Sequence, residues 1–278
     1  QGVGVSMAGP LLADSQGLVV RSAGDLSVGE LMARQSITLD AAGNLNMLGA
    51  TASGGDLSVH AGGRVSVNAA SSVTGAASLS AADTVEILAP LTVGGRASVS
   101  ADQVRLAAGV TAGETQIDAR SLVLGDGGRD VQIRGDLNLA VTGDLTTPGA
   151  VSVSGNTRLA ASGSVGLGGD VTVGGNLSVD AVADIHATGR LTAGGLMHLH
   201  AGQALNIADG VSAGALDLVA GRAVFGGDVA VLGDGSIVAG SLVLPDRMEA
   251  GGSLRIDTAG DLLSTGRVVA NGDLSLSA

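Results

Sequence analysis

The chain has 278 residues and no Cys, Trp, Tyr or Lys, and its 26 acidic and 14 basic residues leave a net charge of −12. So acidic a surface repels phosphate backbones, which argues against nucleic-acid partners. The lack of Cys excludes a disulfide framework and thiol chemistry. Hydrophobic residues still make up 45%, enough to bury a core rather than leave the chain disordered.

Residues 1–23 read as an irregular start interrupted by Pro10, although 18–20 already looks like a strand. The opening QGVGVSMAGPLL has no basic start followed by a long apolar run, so no signal peptide is visible. Nor does any apolar run approach the roughly 18 residues of a membrane-spanning helix. From Gly24 onward, short apolar runs alternate with Gly-containing corners.

The stretch 175–195 shows the unit: Leu177 and Val179, then Val182 and Ile185, then Leu191 and Ala193. In the first and third runs the apolar residues sit two apart, the period of a strand with one buried face. Three such strands make one triangular coil, which must stack on copies of itself to bury its inner face. With Val179 as anchor, the same slot is filled by Val28, Met47, Val59, Leu79, Val99, Ile117, Leu139, Leu159, Leu199, Leu218, Ile237, Ile256 and Leu276. Twelve of the thirteen steps lie within two residues of twenty. The exception is a step of 12 between Met47 and Val59, which predicts either a coil lacking one face or a local hairpin. The step of 22 after Ile117 carries GDGGRD at 125–130, read as a swollen corner loop. Pro90, Pro148 and Pro245 fall between apolar runs, where a missing N–H does least harm to a ladder.

Equivalent strands one coil apart run in the same direction, and crossovers between parallel strands are right-handed in nearly all folds. The expected fold is all-β: a right-handed parallel β-helix, a solenoid with coils of about 20 residues and three short strands per coil. The 47 Gly residues argue against helices, since each costs about 1 kcal/mol inside one. A core of Val, Leu, Ile and Ala suits a narrow interior in which each slot stacks on a similar slot. Inward rows are expected to be aliphatic, and outward rows Ser, Thr, Asn, Asp and Arg. No linker divides the chain, so residues 1–278 read as a single β-helical shaft segment. Both ends fall in mid-pattern, as in an internal fragment of a longer repeat array.

Local phrases recur with the repeat: GDL at Gly24, Gly55, Gly135 and Gly272, and GNL at Gly43 and Gly175. Together with the twenty-residue period, the richness in Ala, Ser and Val and the absence of Cys, they resemble the haemagglutinin-repeat shaft of filamentous haemagglutinins. These are very large exoproteins of the two-partner secretion class. The resemblance runs from about Gly24 to Ala278; the family's amino-terminal secretion module, with its NPNL- and NPNG-type motifs, is not in this sequence. It implies a secreted bacterial adhesin at the cell surface, a virulence factor that passes an outer-membrane transporter. It also implies attachment to host cells through a surface receptor, integrin or glycan. Contact-dependent inhibition toxins carry similar coils, so the stick region of a toxin-delivery exoprotein is the alternative.

A β-helical carbohydrate-active enzyme is the rival from another class. Such enzymes gather acids and bases in a cleft walled by long loops, whereas these coils are short and offer no Lys or Tyr as base. The residues therefore point to no catalytic group and no cofactor. Asp180 and His200 occupy the same outward slot on adjacent coils, with His198 two residues away on the same face. A metal site is conceivable there, but with no Cys and no evident third acid the reading is an ionic or hydrogen-bonded pair on a solvated face. The remaining candidate is Arg134-Gly135-Asp136, an RGD tripeptide of the kind that binds integrins when exposed on a tight turn. Gly135 and Asp136 belong to the repeat's own corner phrase, so a purely structural corner is the competing reading. The position predicts Gly135 at the corner and Leu137 turned inward, and the resemblance adds weight to integrin contact.

Overall fold

The computed structural model describes residues 4–125 and 130–278, and every regular element among them is a β-strand. The chain forms the expected parallel β-helix, a solenoid of about 13 turns with a spacing of about 20 residues. Residue contacts divide it into two compact units, 1–139 and 140–278, each built from the same coil. In the second unit one coil runs Thr157–Ala161, Val165–Leu167 and Val171–Val173. The next repeats it as Leu177–Ala181, Ile185–Ala187 and the start of Leu191–Ile207. All three strands pair in parallel with their counterparts, as in Thr157 with Leu177, Val165 with Ile185 and Val171 with Leu191.

The alternation of the sequence becomes alternation of burial. Leu177, Val179 and Ala181 point inward while Ser178 and Asp180 point outward, as a strand with one buried face requires. Stacking turns the inward residues into ladders. In the second unit Leu159, Val179, Leu199, Leu218, Ile237 and Ile256 pair in register, and none is more than 3% exposed. In the first unit the same row runs Val20, Leu39, Val59, Leu79, Val99 and Ile117.

That row corrects the expected register at one place. Val28 and Met47 pair with each other and then with Val67, in the row formed by the second strand of each coil. The residue below Val59 is Leu39. No coil loses a face there and no hairpin forms; the step of 12 joined two different rows. The opening residues are regular as well. Val5–Met7, Leu11–Ala13 and Leu18–Ser22 each pair with the strand one coil on, and Pro10 stands just outside the ladder.

The corner phrases have a common physical cause. At many corners an Asp or Asn side chain reaches along the solenoid and accepts the backbone N–H of the next coil. Asp25 Oδ1 accepts from Asn44 at 2.8 Å, and Asn44 Oδ1 from Arg64 at 3.0 Å. Asp56 serves Ala76, Asp144 serves Ser164, Asp170 serves Arg190 and Asn176 serves Leu196. These side chains precede first, second and third strands alike, so all three corners ask for the same residues. The preceding glycines allow the close stacking: a Cβ on Gly169, just before Asp170, would lie 2.6 Å from Ala150 N.

A stability test follows from these contacts. Asn176→Ala removes the acceptor at 2.8 Å from the Leu196 N–H and should lower unfolding stability by about 1 kcal/mol. Asn176→Asp, which keeps the oxygen, should melt with the parent. Equal urea midpoints for all three proteins would show that water replaces the side chain and that the ladder adds nothing.

Two inward assignments differ from expectation. Val182 is 69% exposed, and the inward residues at that corner are Ala181 and Ile185. The inner rows are not wholly aliphatic either: Thr51, Thr115, Thr147 and Thr157 are buried, with hydroxyls that have no hydrogen-bond partner. Thr matches the shape of Val, and its β-branch suits a strand. The swollen corner expected at 125–130 lies, at 126–129, outside the described residues.

Candidate functional site

Arg134-Gly135-Asp136 sits within the strand Val131–Val141. Ile133 and Leu137, on either side, are each 1% exposed, which anchors the tripeptide at both ends. Arg134 and Asp136 are exposed and Gly135 is half-buried. Gly135 has φ of +104°, and among the described residues Gly125 is the only other Gly with a positive φ. Gly24, Gly55 and Gly272, which open the same GDL phrase, do not share that conformation. The tripeptide therefore takes a bend of its own at a corner where its sequence is otherwise ordinary. The bend lies hard against the preceding coil: a Cβ on Gly135 would stand 2.1 Å from Ala112 O and 2.6 Å from Gly113 O. Gly135 and Asp136 both have partners within the chain.

The second candidate is larger in the structure than in the sequence. Asp180 and His200 do pair across adjacent coils, as do Ser178 and His198. Asp180 Oδ1 lies 3.7 Å from His198 Nε2 and 3.9 Å from His200 Nδ1. Its other oxygen accepts from Ser178 Oγ at 3.2 Å and faces Arg158 at 3.9 Å. One coil further on, Asp217 Oδ2 meets His198 Nδ1 at 2.9 Å. Asp217 is a second acid of this network, one that the sequence did not make evident. Its signal was its place nineteen residues beyond His198, one coil away. Asp180, His198, His200 and Asp217 are all about one-third to one-half exposed, so the network is screened by water and its pairs contribute little each, about 0–1 kcal/mol. Among the described residues no group of three or more His, Asp or Glu side chains has an arrangement that could hold a metal ion.

Beside this network lies an open groove of about 510 Å³, lined by Ala140, Ala160, Asp180 and His200 from successive coils and by Val182. Its walls are mostly small apolar side chains, with one carboxylate and one imidazole. A similar row in the first unit runs Arg21, Asp40, His60 and Ser80. There His60 Nδ1 lies 2.9 Å from Ser80 Oγ, and Asp40 faces Arg21 at 4.0 Å.

A family model described as repeats of unknown function (DUF5649) matches residues 33–88, 109–169 and 164–209, together more than half of the chain. No curated protein and no solved structure matches the chain.

Proposed function

The chain belongs to the DUF5649 family of repeats of unknown function, and we propose for it the role of a structural and adhesive shaft in a secreted bacterial adhesin. In this reading it passes an outer-membrane transporter and meets host-cell receptors at the bacterial surface. The observation that carries the proposal is the sameness of the coils. Inward residues go into ladders and corner side chains go to the next coil, coil after coil. What remains for function is the outward surface, repeated along each unit. A shaft needs that economy, because each repeat is held only by its neighbours.

Adhesion is assigned to Arg134-Gly135-Asp136. The two charged residues are exposed on either side of a Gly with its own left-handed φ, and an exposed Arg-Gly-Asp on a bend is the kind of segment that an integrin reads. Cells should attach to a surface coated with the chain more than to an albumin coat, and chelating divalent cations should release them. Asp136→Glu moves the carboxylate by one methylene, and should weaken attachment about tenfold, or about 1.4 kcal/mol, while stability falls by no more than the about 1 kcal/mol of one corner contact. Attachment no greater than to albumin would sink the adhesive role. Attachment that Asp136→Glu leaves intact would move it away from the tripeptide.

A further inference from the structure

We propose that Asp209-Gly210 is a site of spontaneous backbone isomerisation, at which Asp209 converts to isoaspartate through a cyclic succinimide. The pair bridges the strands Leu191–Ile207 and Val211–Phe225. The Gly210 N–H points at Asp209's own side chain, donating to Oδ1 at 2.6 Å. This places the attacking nitrogen beside Cγ, the near-attack arrangement that makes an intramolecular step fast. Asp209 has a half-exposed side chain, so water reaches the product.

The chemistry balances with water alone. The Gly210 nitrogen bonds to Asp209 Cγ, and the Cγ–Oδ bond of the protonated carboxyl breaks. The amide proton leaves with that hydroxyl as water, closing a five-membered imide. Water then opens the ring at either carbonyl. Opening at Cγ restores Asp209. Opening at the main-chain carbonyl leaves the backbone running through Cβ and Cγ, with a free α-carboxylate at the corner. The ladder bonds on either side, Ala208 N–H to Ala187 O at 2.8 Å and Val211 N–H to Asp228 O at 2.9 Å, hold the strands while the corner between them lengthens.

The chain carries its own control. Asp234-Gly235 has the same chemistry and an exposed Asp, but the Gly235 N–H is committed to Ser253 O at 2.9 Å and Asp234 Oδ1 accepts from Ser253 N at 2.7 Å. Both reacting groups are held by Ser253 of the next coil. Asn271-Gly272 is held likewise, with the Gly272 N–H on Gly252 O at 2.9 Å. The remaining Asp-Gly pair, 126–127, is outside the described residues.

The test is to age the folded chain at neutral pH and body temperature and digest it with trypsin. Cleavage after Arg190, Arg222 and Arg247 places Asp209 and Asp234 in separate peptides, and electron-transfer fragmentation locates isoaspartate in each. The folded chain should accumulate isoaspartate at Asp209 about tenfold faster than at Asp234, the effect of positioning the reacting atoms. In denaturant the two rates should converge. Asp209→Glu, whose longer side chain would have to close a six-membered ring, should abolish the signal in its peptide. Equal rates in the folded chain, no isoaspartate at Asp209, or a preference that persists in denaturant would each overturn the proposal.

Discussion

Val179→Asp should remove most of the stability of residues 140–278, by several kcal/mol, as read by urea unfolding followed in the far ultraviolet. Val179 is fully buried and stacked in register between Leu159 and Leu199. A carboxylate there would meet aliphatic side chains above and below, without a cation or donor in reach. Burying an unpaired charge is the most expensive single change a core can undergo, and a folded unit holds only about 5–15 kcal/mol in total. A solenoid makes this worse, since a coil that fails withdraws the support of both neighbours. Val179→Thr should be much milder, about 1–2 kcal/mol, because Thr157 already stands inward in the neighbouring coil with an unpartnered hydroxyl. If Val179→Asp melts with the parent, the Leu159–Val179–Leu199 ladder is not the core row.

The ladder was legible in the sequence because stacking forces each slot to repeat its neighbour, and Leu, Val and Ile at steps of nearly twenty residues show it. The register failed where the signal was local. The pentapeptide GDLSV occurs at 24–28 and again at 55–59, but the first leads into a second strand and the second into a first strand. Both corners need a Gly that tolerates close stacking, an acceptor for the next coil's N–H and an inward Leu, so identical residues serve different rows. Only pairing across coils tells them apart. Val182 was misplaced because hydropathy outweighed position: it follows inward Ala181 at a corner and so faces water. Thr115 and Thr157 were invisible for the opposite reason, since their shape fits an inward slot that their polarity disguises. Asp217 stands just before the anchor Leu218 as His198 stands before Leu199, so its slot was legible and only the contact between the two side chains was not. At the RGD corner the inward turn of Leu137 was legible and the φ of Gly135 was not, because the five other GDL phrases show no such bend.

Gly135→Ala should destabilise residues 1–139 by about 3 kcal/mol or more, through two effects that add. The φ of +104° lies in a region that a residue with a Cβ enters only under strain of about 1–3 kcal/mol. The Cβ would also stand 2.1 Å from Ala112 O, a backbone atom of the neighbouring coil that cannot swing aside as a side chain could. Either the bend flattens, drawing Ile133 or Leu137 out of buried slots, or the coil carrying Ala112 shifts and strains its own ladder. Both routes lower the melting temperature and both disturb the presentation of Arg134 and Asp136. Gly135→Ala should therefore lose cell attachment and stability together, whereas Asp136→Glu should lose attachment at little cost in stability. A Gly135→Ala protein that melts with the parent would show that the corner relaxes freely, and the bend at Arg134-Gly135-Asp136 would then be no fixed feature of the coil. A protein that loses stability yet keeps its attachment would show that cells hold the chain elsewhere than at this corner.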